Sequence, residues 1–352
     1  MQAPRRILIV RLSALGDVVL SSGLIPALRA RWPEAQLSWL VEAPAAPLLR
    51  AHPDLHELII APRAEWKRLL KQKQYAALWR ALRDFRQALR ERQFDLVVDP
   101  QGLLKSAVLG WFTAAPRRVL LKPREGSHWL ATESLREPAP GDEAIGHEYR
   151  ALAVHLGAPP EQFQLSLCLG DAVQASVEQR LAGQPWRDRI AVLAAFTTRP
   201  QKHWFDERWQ ALSARLLAAG LQPILLGGPG DRDAAARLCA GAPGLLNWVG
   251  ELPLDASAAL IGRAALLIGV DTGLTHMAMA QRRPTVALFG STVPYRRGPG
   301  PEAQVLYRAL PCSPCHRQPS CGGRFDCMRQ YSADEVADLA LQLHEAHRAP
   351  TP

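Results

Sequence analysis

The chain has 352 residues, 48% of them hydrophobic, with 42 Lys+Arg against 33 Asp+Glu and a formal net charge of +9. That length accommodates two domains with full-sized cores, and no apolar run reaches the ~20 residues that a membrane-spanning helix needs. The basic excess is local: from Pro62 to Arg92 ten basic residues stand against three acidic ones, so an anionic partner is expected at one region, whether phosphorylated glycolipid, membrane surface or nucleic acid.

The N-terminus is basic and then apolar, like a signal peptide, but Arg11 and Asp17 interrupt the run. Strand, loop and helix describe it better, and a cytoplasmic protein is expected. Arg6–Arg11 reads as the strand, Leu12–Asp17 as the loop, and Val18 onward through Ala30 as the helix. Gln36–Val41 and Leu58–Ala61 are further strands. From Leu69 to Arg92, apolar residues recur at Tyr75, Leu78, Trp79, Leu82, Phe85 and Leu89, one helical stripe with a basic opposite face. Phe94–Asp99 is a strand ending in the polar corner Pro100–Ser106. Residues 115–147 carry Pro, Gly and mixed charge and read as a loop-rich insertion. After a helix over 147–157, Gly157–Glu161 is the expected linker.

The second half repeats the alternation. Strands are expected at Ile190–Ala195, Pro223–Leu226, Ala264–Val270 and Arg283–Gly290, with helices over 206–219, 231–240 and 254–262. Ser332-Ala-Asp-Glu335 is a capping box for a last helix. Strands alternating with helices predict parallel sheets covered on both faces. The arrangement inferred is α/β, two doubly wound halves meeting across a cleft. Residues 1–160 form the first, 161–332 the second, and a C-terminal helix over 333–349 packs back toward the first.

Three strand-end loops stand out: Ser13–Asp17, Thr197–Trp204 and Asp271–His276. In open α/β sheets ligands gather outside the carboxyl ends of the strands, and a helix N-terminus with a Gly beside it attracts phosphate. The first loop offers a carboxylate; the other two offer hydroxyls, a lysine and a helix start. A carboxylate opposite a phosphate site suits transfer from a nucleotide-activated donor. Each loop also has a plainer reading: Asp17 and Asp271 as helix caps, His276 as a structural residue, Trp204 and Trp209 as core. Asp231-Arg-Asp233 imitates the metal-binding Asp-x-Asp of other glycosyltransferases but reads as capping on a helix start, and no catalytic metal is expected.

The four blocks Arg11–Asp17, Asp99–Ser106, Thr197-Thr-Arg199 with Lys202-His-Trp204, and Asp271-Thr-Gly-Leu-Thr-His276 come in the order and spacing of bacterial ADP-heptose:lipopolysaccharide heptosyltransferases. The chain resembles that family over nearly its whole length, and its Thr-Thr-Arg block is most similar to heptosyltransferase I. The resemblance implies the GT-B architecture, two Rossmann-like domains with the donor in the second. It implies Asp17 as general base for the acceptor hydroxyl. Lys202, Thr197, Thr198 and the backbone of Thr272 and Gly273 would contact the diphosphate, with Leu274 and His276 on the same corner and Asp271 on donor sugar hydroxyls. Ser13, Gly16, Gln101 and Lys105, with basic Arg63, Lys67, Arg68 and Arg124, would meet the acceptor. The partners implied are ADP-heptose and the anionic Kdo–lipid A glycolipid, with peripheral contact at the inner face of the inner membrane, no nucleic acid and no cofactor for catalysis.

Cys312, Cys315, Cys321 and Cys327 form C-x₂-C-x₅-C-x₅-C, a departure from the heptosyltransferase I pattern. The spacing suits a structural Zn or Fe held by thiolates; reduced cysteines in a loop are the alternative. Other readings of the whole chain are the same fold acting on a second core heptose or an autotransporter protein, and, in a different class, a non-catalytic nucleotide- or nucleic-acid-binding protein. Against the last, the 62–92 segment has no recognisable nucleic-acid motif.

Overall fold

The computed structural model describes residues 3–136, 143–315 and 318–348. The elements of the first part are β1 (Arg6–Val10), α1 (Leu15–Ser21), α2 (Leu24–Arg31), β2 (Gln36–Glu42), β3 (Leu55–Ala61), α3 (Arg63–Lys71), α4 (Tyr75–Glu91), β4 (Leu96–Asp99), α5 (Leu104–Phe112), β5 (Arg117–Leu121), β6 (Glu133–Leu135) and α6 (His147–His155). The second part runs α7 (Asp171–Leu181), β7 (Ile190–Ala194), α8 (Asp206–Ala218), β8 (Gln222–Leu225), α9 (Arg232–Ala240), β9 (Leu246–Asn247) and α10 (Leu254–Arg263). It continues through β10 (Leu266–Val270), α11 (Gly273–Ala280), β11 (Thr285–Phe289), β12 (Ala303–Tyr307), α12 (Asp326–Arg329) and α13 (Ala333–Arg348).

Each part builds one six-stranded sheet, in the orders β3-β2-β1-β4-β5-β6 and β12-β11-β10-β7-β8-β9. Every pairing is parallel. Read from its own first strand, the second sheet has the same order as the first. Ile7–Val10 and Ile190–Ala194 are fully buried, the continuous apolar runs that a sheet covered on both faces requires. In each sheet the order reverses at one point, between β1 and β4 and between β7 and β10. Ligands of such sheets bind outside the carboxyl ends of the strands at that reversal. The loops singled out from the sequence leave β1, β7 and β10, so topology brings them to these two points.

Two compact units result: the first runs to residue 168 and the second begins at 169, with residues 143–145 counted in the second. The Gly157–Glu161 segment therefore lies inside the first unit. α13 packs on α8, β10 and β11 of the second unit, and Val336, Ala337, Ala340 and Leu343 join that unit's core. These four recur on one helical face, which the sheet of the same unit covers. Its start is as read, Ser332 Oγ accepting the Glu335 N–H at 3.1 Å.

Two other expectations change. The 115–147 insertion contains β5 and the edge strand β6, and Arg117 of β5 is accommodated by pairing with Glu133 of β6 at 2.9 Å; residues 137–142 lie outside the described ones. The stripe from Leu69 to Arg92 is two helices, broken at Gln72–Gln74 where Lys73 takes a φ of 56°. Leu78, Leu82, Phe85 and Leu89 pack on the core, whereas Tyr75 and Trp79 are exposed. Among the described residues no helix is long and apolar enough to cross a membrane.

Candidate active site

In the first unit the chain leaves β1 through Arg11, which is buried. Its guanidinium donates to Pro100 O at 3.0 Å, lies 2.5 Å from Asp17 Oδ2 and sits over the Tyr149 ring. A buried guanidinium is stable only when paired and hydrogen-bonded in this way. Its partner Asp17, in the first turn of α1 beside Gly16, keeps 42% of its side chain exposed. The Ala14 N–H reaches the same carboxylate at a long 3.3 Å, so Asp17 does cap α1, weakly. A carboxylate aimed by a fixed cation and still open to solvent can accept a proton from a bound hydroxyl.

The neighbouring corner after β4 holds this loop in place. Asp99 is fully buried; its Oδ1 accepts the N–H groups of Gln101 at 2.9 Å and Gly102 at 3.0 Å. The turn requires φ +63° at Gly102, where a Cβ would come 2.0 Å from Leu121 O, so only glycine fits. Burial pushes the Asp99 carboxyl up to about 6, against the pull of those amides and Ser106. Gln101, expected to meet the acceptor, is buried, and its Oε1 accepts the Leu12 N–H at 2.9 Å. The geometry gives it the task of bracing the Asp17 loop.

The basic residues form a cluster at the same end. Burial, then Arg63, with Lys67 and Arg11 also near, lowers the pKa of Lys105; its Nζ lies 3.4 Å from Ser13 Oγ. Arg63 pairs with Glu42. Arg68 turns to Gln72 Oε1 at 3.0 Å, and Arg124 is exposed. Ser13, Arg63, Lys67 and Lys105 are thus brought together, with Arg68 and Arg124 freer at the surface.

In the second unit the loops after β7 and β10 meet. Lys202 Nζ donates to Asp271 Oδ2 at 2.6 Å, with the two side chains 17% and 12% exposed. Thr292 Oγ1 donates to the same oxygen, and His276 Nε2 lies 3.4 Å from Oδ1. Burial alone would raise the Asp271 carboxyl, but His276 and Lys202 hold it far below the usual carboxylate range. Both oxygens are therefore engaged within the protein, and Asp271 orients Lys202. His276 is buried, its Nδ1 2.7 Å from Tyr295 Oη, and serves as support. His203 closes the preceding loop, with its ring nitrogen 2.8 Å from Thr197 O, while Thr198 is exposed. Trp204 and Trp209 pack edge to face in the core, as read.

α11 starts beside this cation. Thr272 is its N-cap residue, and no side chain caps the first turn. Thr275 Oγ1 instead donates back to Val270 O at 2.7 Å, and it lies against Gly269, where a Cβ would stand 2.2 Å from the Thr275 hydroxyl oxygen. The amides of Gly273 and Leu274 thus belong to a helix start whose first turn no side chain caps.

A family model described as glycosyltransferase family 9 (heptosyltransferase) matches residues 82–324. The chain belongs to glycosyltransferase family 9. Lipopolysaccharide heptosyltransferase 1 of Pseudomonas aeruginosa is 32% identical to it over 319 residues, 88% of this chain and 86% of that one. A solved family 9 glycosyltransferase from Veillonella parvula superposes with a TM-score of 0.82 at 20% identity, covering 98% and 99% of the two chains. An Escherichia coli heptosyltransferase solved with ADP-2-deoxy-2-fluoro heptose gives 0.72 at 25% identity, covering 96% and 99%. The doubly wound units are those of the GT-B fold, and the protein is a glycosyltransferase.

Sequence reasoning missed four residues beside the candidate groups: Arg11 and Tyr149 around Asp17 in the first unit, and Thr292 and Tyr295 around Asp271 in the second. Arg11 left a signal, a charge ending an apolar strand. Thr292 and Tyr295 left none, since the loop after β11 reaches Asp271 only through the sheet order. Asp231 is a cap, accepting the Gly228 N–H at 2.8 Å.

Away from these loops, the four C-terminal cysteines of the glycosyltransferase are free thiols, Cys321 and Cys327 buried. Burial and then the neighbouring Cys315, Cys312 and Cys321 push the Cys327 thiol up to about 11. Among the described residues no three His, Cys, Asp or Glu side chains close into a metal-binding group.

Proposed function

We propose that this glycosyltransferase moves heptose from ADP-heptose to the Kdo–lipid A inner core of lipopolysaccharide, with inversion at the anomeric carbon. The observation that carries the reading is the part-buried Lys202–Asp271 pair beside the open start of α11, a cation and backbone donors grouped as a departing diphosphate needs. The Pseudomonas relative's name and the E. coli relative's bound ADP-sugar analogue support the substrate pair. Asp17 takes the proton of an acceptor hydroxyl, whose oxygen attacks the anomeric carbon as the bond to ADP breaks on the opposite face. Lys202, Thr197, Thr198 and the amides of Thr272, Gly273 and Leu274 receive the charge that develops on the diphosphate. These protein groups supply the chemistry without a cofactor. The enzyme works at the cytoplasmic face of the inner membrane as a peripheral protein. ADP should form only when ADP-heptose and the acceptor are both present; no ADP under those conditions would count against the reading.

The cluster of Arg63, Lys67 and Lys105, with Arg68 and Arg124, receives the phosphate and acid groups of the acceptor. Replacing Arg63, Lys67 and Arg68 together with Ala should raise the acceptor KM by roughly tenfold, since exposed charge pairs contribute up to ~1 kcal/mol each. The difference should shrink at high salt, where the Debye length falls to ~3 Å at 1 M. ADP affinity, measured by calorimetry, should be unchanged. A variant that loses ADP binding while using acceptor normally would put these residues on the wrong substrate.

The four thiols are donors of the type that structural Zn or Fe takes; burial first and then neighbouring thiols raise the Cys315 and Cys327 pKa, an effect that a bound cation would reverse. Cys312, Cys315, Cys321 and Cys327 would hold it, as a local staple with no part in transfer. Protein purified without chelator should carry about one metal per chain, and Cys315→Ser should lose the metal and melt earlier. Metal content well below stoichiometric would leave the segment as reduced cysteines.

A further inference from the structure

The tip formed by the end of α3 and the start of α4 has a composition the fold does not use. Leu70, Tyr75 and Trp79 are 55%, 61% and 62% exposed. Tyr75 and Trp79 stand one helical turn apart on the same face of α4, and the Arg83 guanidinium lies over the Trp79 ring at 5.3 Å. The core side of the helix is already served by Leu78, Leu82, Phe85 and Leu89, with Trp66 edge-on to Phe85. From Trp66 to Arg83 there are six basic residues and no acidic one. Of these, Lys71, Lys73, Arg80 and Arg83 are exposed around the three apolar side chains.

We propose that this tip docks the enzyme on an anionic bilayer, with Leu70, Tyr75 and Trp79 entering the headgroup layer and Lys71, Lys73, Arg80 and Arg83 lying against the lipid phosphates. The proposal rests on the reading above, in which the acceptor is a glycolipid, and names the surface that meets its membrane. Tryptophan and tyrosine favour the membrane–water interface, where an apolar ring and a polar edge are both accommodated. Apolar anchors ringed by Lys and Arg are the pattern of helices that lie in that interface. Charge decides the partner. A surface that is basic apart from Asp84, which Arg83 pairs at 2.9 Å, and that carries Lys71 and Lys73, is unlike the core of a protein–protein interface, which is depleted in lysine, and it complements the negative potential of an anionic leaflet.

The test is sedimentation of the full-length protein with vesicles of phosphatidylcholine alone or mixed with phosphatidylglycerol. Wild type should bind the mixed vesicles and scarcely the neutral ones, with binding reduced by salt. The pair Tyr75→Ser and Trp79→Ser should lower partition about tenfold, and Lys71→Glu with Lys73→Glu by at least as much. Both variants replace exposed side chains and should melt like wild type. ADP affinity and transfer to a deacylated, water-soluble acceptor should be unchanged in them, which separates this proposal from the transfer reading. Loss of soluble transfer in wild type would count against the reaction and leave vesicle binding standing. Equal binding to neutral vesicles, or wild-type partition by the Tyr75/Trp79 variant, would overturn the docking surface. So would its conversion of a dimer to a monomer by light scattering, which would assign the tip to self-association.

Discussion

Asp17→Asn is expected to lower turnover by about 10²–10⁴-fold, the usual contribution of a positioned general base, while leaving ADP affinity near wild type. The substitution is discriminating because Asn caps a helix about as well as Asp, so the weak bond from the Ala14 N–H survives. What changes is the proton acceptor and the charge facing Arg11. Arg11 retains its bond to Pro100 O and its place over Tyr149, and the lost partner is partly exposed. The stability cost should therefore lie between about 1 kcal/mol, the value for an exposed pair, and about 3 kcal/mol, the value for a buried charge that loses its partner, a fall of roughly 2–12 °C in Tm for a unit of this size. A purified, folded variant with near-normal rate would return Asp17 to capping alone.

Lys202→Ala should have the second largest effect, in two separable parts. Negative charge grows on the diphosphate as the glycosidic bond breaks, so the ammonium favours the transition state over the ground state. Turnover at saturating donor should fall about 10²-fold or more, by analogy with removing one oxyanion donor, and ADP binding should weaken less. The same change strips a buried carboxylate of its cation, at a cost of about 3 kcal/mol, the low end because Thr292 and His276 remain beside Asp271. Adding Asp271→Asn should restore much of that stability without restoring turnover. If the double variant regained activity along with its melting temperature, Lys202 would be a structural residue.

The sequence pattern exposed much of the architecture because both sheets are buried on two faces and their central strands are unbroken apolar runs. What escaped it lies at the edges. The edge strands β6 and β12 carry glutamate and glutamine because an outer strand need not be apolar throughout, and β5 beside β6 carries Arg117 paired with Glu133. α13 follows the capping signal at Ser332, but an apolar helical face does not say which sheet will cover it. The site shows the same division. Asp17, Lys202 and Asp271 were visible as polar breaks at strand ends. Asp271's commitment to Lys202, Thr292 and His276, and Gln101's brace on Leu12, depend on which strands lie side by side in the sheets. Trp79 was placed on an apolar stripe by spacing alone, and its exposure is what opens the question of docking.

The most direct test of the account is mass spectrometry of the acceptor after incubation with ADP-heptose and the purified enzyme, using Kdo₂-lipid A and its mono-heptosylated form in separate reactions. The account predicts that Kdo₂-lipid A gains one heptosyl unit, with ADP released in equal amount, and that the mono-heptosylated form does not change. Heptose added only to the mono-heptosylated form, or to neither, would contradict it.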